Sequence, residues 1–134
     1  MKPIDRNDAN AAAAALRTAE RILHEGGIWG IYPEGTRSPD GRLYKGKTGV
    51  MRVALATGAP VLPVVVTGTE RVNPPGSRRL RFGQVRITIG APLDLTQYAE
   101  SAKDQRVVRS ATDHLMAELH RVSGQEYVDE YARR

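Results

Sequence analysis

Glu34-Gly35-Thr36-Arg37 gathers a carboxylate, a glycine, a hydroxyl and a guanidinium in four consecutive residues. Arg37 offers a rigid fork of donors that suits phosphate, Gly35 lets the main chain approach an anion closely, and Thr36 adds a hydroxyl. The same four residues also fit a surface turn in which Glu34 and Arg37 pair with each other. A phosphate beside Glu34 would be repelled unless Arg37 or a main-chain donor intervened, so Glu34 is expected to orient donors.

Other chemistry-bearing residues are less organised. Gly41-Arg42-Leu43-Tyr44-Lys45-Gly46-Lys47-Thr48 has P-loop spacing, which would place Lys47 on nucleotide phosphates and Thr48 on magnesium. Its context argues against that reading: a polar turn precedes Gly41 where a buried strand is required, and no strand ending in a magnesium-binding Asp follows. Lys45 and Lys47 read instead as a solvated basic loop or lipid-facing positions. Ser38, Ser77, Ser101, Ser110 and Ser123 form no nucleophile elbow. His24, His114 and His120 are too scattered for a zinc centre and read as structural or solvated side chains, so no metal is expected.

The elements that must position the Glu34–Arg37 loop can be traced from periodicity and punctuation. A helix is expected from about Ala9, capped by Asn7 or Asp8, to His24, with Ala12, Ala15, Leu16, Ala19, Ile22 and Leu23 on its apolar side and Gly26-Gly27 ending it. Ile28 to Tyr32 reads as a buried strand apolar on both faces, with Trp29 and Tyr32 in the core, and Pro33 stops it. A loop from Glu34 to Thr48 carries a turn at Ser38-Pro39-Asp40-Gly41. Thr48 then caps a short buried helix from about Val50 to Thr57, which Gly58 closes. Val61 to Val66 reads as a strand interrupted by Pro63. A basic excursion follows from Glu70 to Phe82, then a strand in which Val85, Ile87 and Ile89 alternate with wetter positions. The last helix runs from about Ala102 to Val122 and ends at Gly124. This order favours an α/β layer with partly parallel strands.

With 134 residues the chain suffices for one core, and it contains no Cys, which excludes a thiol nucleophile, a thiolate metal site and a disulfide framework. Its net charge of +5 is concentrated between residues 37 and 86, where ten basic residues face two acidic ones. Such a patch attracts anionic headgroups, phosphorylated metabolites or nucleic acid. A nucleic-acid module is the noncatalytic alternative, disfavoured because Phe82 is the only Phe and the tyrosines form no stacking series. No stretch approaches the roughly 20 apolar residues of a spanning helix, and the start, Met1-Lys2-Pro3-Ile4-Asp5-Arg6, has no secretory hydrophobic region.

The longer string Tyr32-Pro33-Glu34-Gly35-Thr36-Arg37-Ser38 resembles the phosphate-binding motif of the glycerophospholipid acyltransferase family, which includes the 1-acylglycerol-3-phosphate acyltransferases. The resemblance continues through Gly41, Leu43, Lys45-Gly46 and Gly49 and through Ala59 to Val64. Upstream, Ile4-Asp5-Arg6 matches the end of another family block. It implies an α/β fold in which residues 1–124 form a partial acyltransferase domain, with a mixed or partly parallel sheet and flanking helices, and 125–134 a C-terminal tail.

The implied activity moves an acyl group from acyl-CoA or acyl carrier protein to lysophosphatidate or a related glycerophosphate, with no tightly bound cofactor. Arg6, Gly35 and Arg37 would contact the acceptor phosphate, while Glu34 and Thr36 would organise the loop. A peripheral protein in the cytoplasm or on the cytoplasmic face of a membrane is implied. The family's histidine followed after four residues by aspartate, which activates the acceptor hydroxyl, has no counterpart: the fifth residues after His24, His114 and His120 are Trp29, Leu119 and Gln125. No catalytic residue is therefore assigned. The isolated chain is expected to be inactive, with the coding sequence upstream of Met1 expected to supply that pair.

Overall fold

A computed structural model describes residues 9–72, 78–79 and 82–133. Helix α1 (Ala9–His24) ends as its sequence requires: Gly26 takes a φ of 82° and the Gly27 amide donates to Ile22 O at 2.8 Å. Helix α2 (Gly49–Thr57) leads to α4 (Gln105–Ser123) through strand β2 (Val64–Thr67), the short helix α3 (Thr69–Val72), strand β3 (Arg86–Ile89) and a 3-10 turn at Thr96–Ser101. Two-residue strands β1 (Leu43–Tyr44) and β4 (Tyr127–Val128) complete the order.

The fold is α/β, with its described strands in two separate two-stranded sheets, one parallel and one antiparallel. β1 pairs with β4 in parallel, Leu43 opposite Tyr127, whereas β2 pairs with β3 antiparallel, Val65 opposite Thr88. The helices carry most of the burial. α1 packs on α2, α2 on α4, and α4 on β2, around Leu43, Val50, Met51, Ala54, Val65, Leu115, Met116 and Leu119. Small residues permit the approaches: a Cβ on Gly49 would lie 3.2 Å from Leu16 Cδ2.

Several expectations need correction. Ile28 to Tyr32 forms no strand and pairs with none among the described residues; Ile28 is 96% and Tyr32 82% exposed, and of this segment Trp29 packs against the core. Apolar composition favours a buried strand, but a ladder also needs a partner. The loop expected from Glu34 to Thr48 contains β1, with Leu43 and Tyr44 buried. Thr48 occupies the start of α2 without a side-chain cap, its backbone being helical rather than extended, while Gly58 closes that helix at φ 70°. The second strand begins at Val64, past Pro63. β3 has no buried face: Ile87 is 63% and Ile89 65% exposed. The last helix starts later than expected, where the Asp104 side chain accepts from the Arg106 amide, and ends at Gly124. Residues 127–128, in the segment read as a tail, form β4.

Candidate functional site

Strand β1 organises the loop that precedes it. The Leu43 and Lys45 amides donate to Glu126 O (2.9 Å) and Glu130 O (3.0 Å), which fixes β1 on the C-terminal segment. On the other side, the Tyr44 amide donates to Glu34 Oε2 at 2.9 Å and the Lys47 amide to Pro33 O at 2.8 Å. These two bonds tie residues 33 and 34 to a strand that is itself anchored. Gly35, whose amide donates to Tyr32 O at 3.0 Å, turns the chain at φ 72°, a conformation that costs a side-chain-bearing residue roughly 1–2 kcal/mol.

The same bonds exclude the P-loop reading. A P-loop holds phosphate with successive free main-chain amides, and here the amides of Leu43, Tyr44, Lys45 and Lys47 are all spent on oxygens of the protein.

Glu34 does not pair with Arg37. It is half-buried, its carboxylate occupied by the Tyr44 amide, and burial pushes its pKa above the ordinary 4.5 against the pull of that hydrogen bond. Thr36 is half-buried and Arg37 exposed. Among the described residues Arg37 has no carboxylate partner, so its guanidinium is open to an external anion. Arg6 lies outside the described residues.

The Glu34 environment gives a pH prediction. A raised carboxyl pKa means that the folded chain binds more protons than the unfolded chain just above pH 4.5, so unfolding free energy falls as pH rises through that window. Urea denaturation of the parent and Glu34→Gln between pH 4 and 7 should give a stability difference, parent minus variant, that declines with pH. A difference that climbs with pH would contradict the burial assignment.

Sequence reasoning missed the group beside this loop. Tyr44 is buried and its hydroxyl donates to Asp40 Oδ2 at 2.8 Å, while Arg42 donates through Nε to the same oxygen at 2.8 Å and through Nη2 to the Tyr44 hydroxyl at 3.1 Å. The Arg42 bond, then that of Tyr44, holds the Asp40 carboxyl well below its usual range. Ser38 Oγ closes the turn by donating to Arg42 O at 2.7 Å. The signal was the alternation Asp40, Arg42, Tyr44, which brings three polar ends together after a glycine turn.

The histidines lie elsewhere: His24 is exposed at the end of α1, His114 Nδ1 is 3.4 Å from the Tyr98 hydroxyl, and His120 Nδ1 meets Gln125 O. Among the described residues no cluster of His, Asp or Glu could hold a metal, and no helix is long and apolar enough to cross a membrane.

These features define the class as an α/β domain that presents an anchored glycine turn followed by an arginine with no carboxylate partner among the described residues. The comparisons make the class specific: the family described as Acyltransferase matches residues 1–67, and the chain belongs to that family. A chloroplastic 1-acyl-sn-glycerol-3-phosphate acyltransferase of Brassica napus is 37% identical over 92 residues, covering 68% of this chain and 27% of its own length. The 1-acyl-sn-glycerol-3-phosphate acyltransferase of Escherichia coli K12 is 34% identical over 122 residues, covering 87% of this chain and 48% of its own. Among solved structures, the 1-acyl-sn-glycerophosphate acyltransferase PlsC of Thermotoga maritima superposes with a TM-score of 0.63 at 30% identity, over 83% of this chain and 45% of that one. The chain thus spans less than half the length of each of these three relatives.

Proposed function

We propose that this chain carries the acceptor-phosphate portion of an O-acyltransferase that esterifies lysophosphatidate or a related glycerophosphate in phospholipid synthesis, with acyl-CoA or acyl carrier protein as donor. The observation that carries the reading is the open Arg37 guanidinium two residues after Gly35 at φ 72°, with Glu34 turned away onto the Tyr44 amide. Arg6 and Arg37 take the acceptor phosphate, Gly35 lets the chain approach it closely without using its amide, which is bonded to Tyr32 O, and Glu34 and Thr36 keep the loop in shape. Residues 1–124 carry the partial domain and 125–134 a C-terminal tail laid on β1 through β4. The protein acts peripherally, in the cytoplasm or at the cytoplasmic face of a membrane.

The reaction requires that a glycerol hydroxyl lose its proton as it attacks the donor carbonyl. No His-x4-Asp pair occurs in the 134 residues, and an arginine is not a base near pH 7. The chain by itself should therefore bind the acceptor without turning it over. Binding is measured with a short-chain lysophosphatidate against its uncharged monoacylglycerol counterpart, and turnover with labelled acyl-CoA and acyl carrier protein. Preference for the phosphorylated ligand with no acylated product is the expected result. Equal binding of the two ligands would overturn the site assignment, and robust protein-dependent acylation would overturn the missing-base argument.

A further inference from the structure

We propose that Lys47 is a second phosphate-binding cation of the Glu34–Arg37 loop and that, together with Arg37, it makes the site selective for a phosphomonoester dianion over a phosphodiester monoanion. The inference rests on the phosphate reading of the loop and goes beyond it by naming the residue that sets the charge of the ligand.

Two lysines flank Gly46, and their surroundings differ. Gly46 is buried, pressed so closely on α4 that a Cβ there would meet Met116 Sδ at 2.7 Å and Thr112 Cγ2 at 3.1 Å. That contact fixes the backbone from which both lysines leave. Lys45 Nζ lies 3.2 Å from Asp129 Oδ1 and 5.9 Å from the centre of the Tyr131 ring, so its charge is already met. Lys47 runs the other course. Its side chain lies across the glycine turn: a Cβ on Gly35 would approach Lys47 Cδ at 3.1 Å, Cε at 3.3 Å and Nζ at 3.4 Å.

Lys47 is exposed and, among the described residues, has no carboxylate partner. Glu34, the acid of the same loop, is committed to the Tyr44 amide, and the Lys47 amide is bonded to Pro33 O at 2.8 Å. The main chain of Lys47 thus belongs to the loop's scaffold while its side chain fills the space a Cβ on Gly35 would take. Gly35 gains a second reason to be glycine, since a side chain there would press on that ammonium stem.

Charge counting then defines the ligand. A phosphomonoester carries a charge of about −1.5 to −2 near pH 7, its second ionisation falling near pH 6, whereas a diester carries about −1. One arginine fork matches a single negative charge with bidentate geometry. A dianion is matched only when a second cation is present, and lysine supplies a compact point charge for it.

The test is a set of ³¹P NMR titrations of the 134-residue chain with sn-glycerol 3-phosphate, inorganic phosphate and the diester glycerophosphoglycerol, at pH 5.5 and 7.5. The parent should favour the monoester, and the preference should grow between the two pH values as the dianion forms. Lys47→Gln should weaken glycerol 3-phosphate binding by about five- to tenfold with little effect on the diester, and should flatten the pH dependence. Lys47→Arg should restore both, and Lys45→Gln should change neither.

Inorganic phosphate bound as tightly as the glycerol ester, with the same dependence on Lys47, would support the dianion site while identifying the free ion as a sufficient ligand. If the parent binds the monoester but Lys47→Gln leaves the ratio of monoester to diester unchanged, this proposal falls and the phosphate loop stands. If the parent binds no phosphate compound, the loop reading fails and takes the proposal with it.

Discussion

Met51→Ala should lower the unfolding free energy by about 2–5 kcal/mol, the range for truncating a buried large aliphatic side chain to alanine. Met51 is 0% exposed on α2, the helix that packs against both α1 and α4, and Val53 and Met116 are equally inaccessible. Met51 lies in the buried cluster that α2 shares with α4, alongside Leu115, Met116 and Leu119, and the cost should fall in the upper part of the range. Met51→Leu, which nearly conserves volume, should cost less than about 1.5 kcal/mol. The effect is large because burial is unevenly distributed. The helical side supplies most of the core, whereas β2 and β3 expose Val64, Val66, Ile87 and Ile89 and return little stabilisation for their area. For a domain of about 5–15 kcal/mol total stability, one methionine side chain is a substantial fraction. Urea denaturation monitored by Trp29 fluorescence measures it. A loss below 1 kcal/mol for Met51→Ala would mean that the core shared by α2 and α4 is not close-packed.

The helices were legible because their signals are local. Alanine-rich periodicity and Gly26-Gly27 defined α1, and Gly58 and Gly124 marked the ends of α2 and α4 with left-handed caps. β2 and β3 were legible too, from the apolar run Val61 to Val66 and the alternation of Val85, Ile87 and Ile89, but the remaining extended-looking and loop-like segments were not, because a strand exists only with its partner. Ile28 to Tyr32 has the composition of a buried strand and no ladder, while Leu43-Tyr44, two residues inside a polar loop, becomes a strand because residues 127–128 lie alongside it, more than 80 positions away. The site shows the same division. Glu34, Gly35, Thr36 and Arg37 were visible as a contiguous string, and the P-loop spacing at Gly41 to Thr48 was rightly distrusted on context. Lys47 was read as solvated or lipid-facing because its relation to Gly35 spans twelve residues and depends on β1 turning the chain back. Asp40, Arg42 and Tyr44 were divided between a turn and a basic loop, and only the fold shows them as one network.

Arg37→Ala should weaken binding of glycerol 3-phosphate to the chain by about tenfold to a hundredfold, corresponding to loss of a charged hydrogen-bonding group of about 1.5–3 kcal/mol. This exceeds the effect expected at Lys47 because a guanidinium donates two aligned bonds to one phosphate, whereas an ammonium adds chiefly a point charge. Arg37→Lys should recover part of the affinity, keeping the charge and losing the fork. Neither substitution should move the urea midpoint appreciably: Arg37 is exposed and has no ion-pair partner among the described residues, and surface changes of that kind usually stay within about 0.5 kcal/mol. That contrast separates a ligand-binding arginine from one that holds the loop together. In the turn that the sequence also permitted, Arg37 would pair with Glu34, and its removal would destabilise the chain while leaving phosphate affinity within threefold of the parent. Glu34 already accepts the Tyr44 amide instead, which is why the loss should appear in binding. Raising the salt concentration should shrink the difference between parent and variant without abolishing it, since screening weakens the charge attraction more than the short directional bonds of the fork. An affinity change below threefold at low salt would remove Arg37 from the phosphate site.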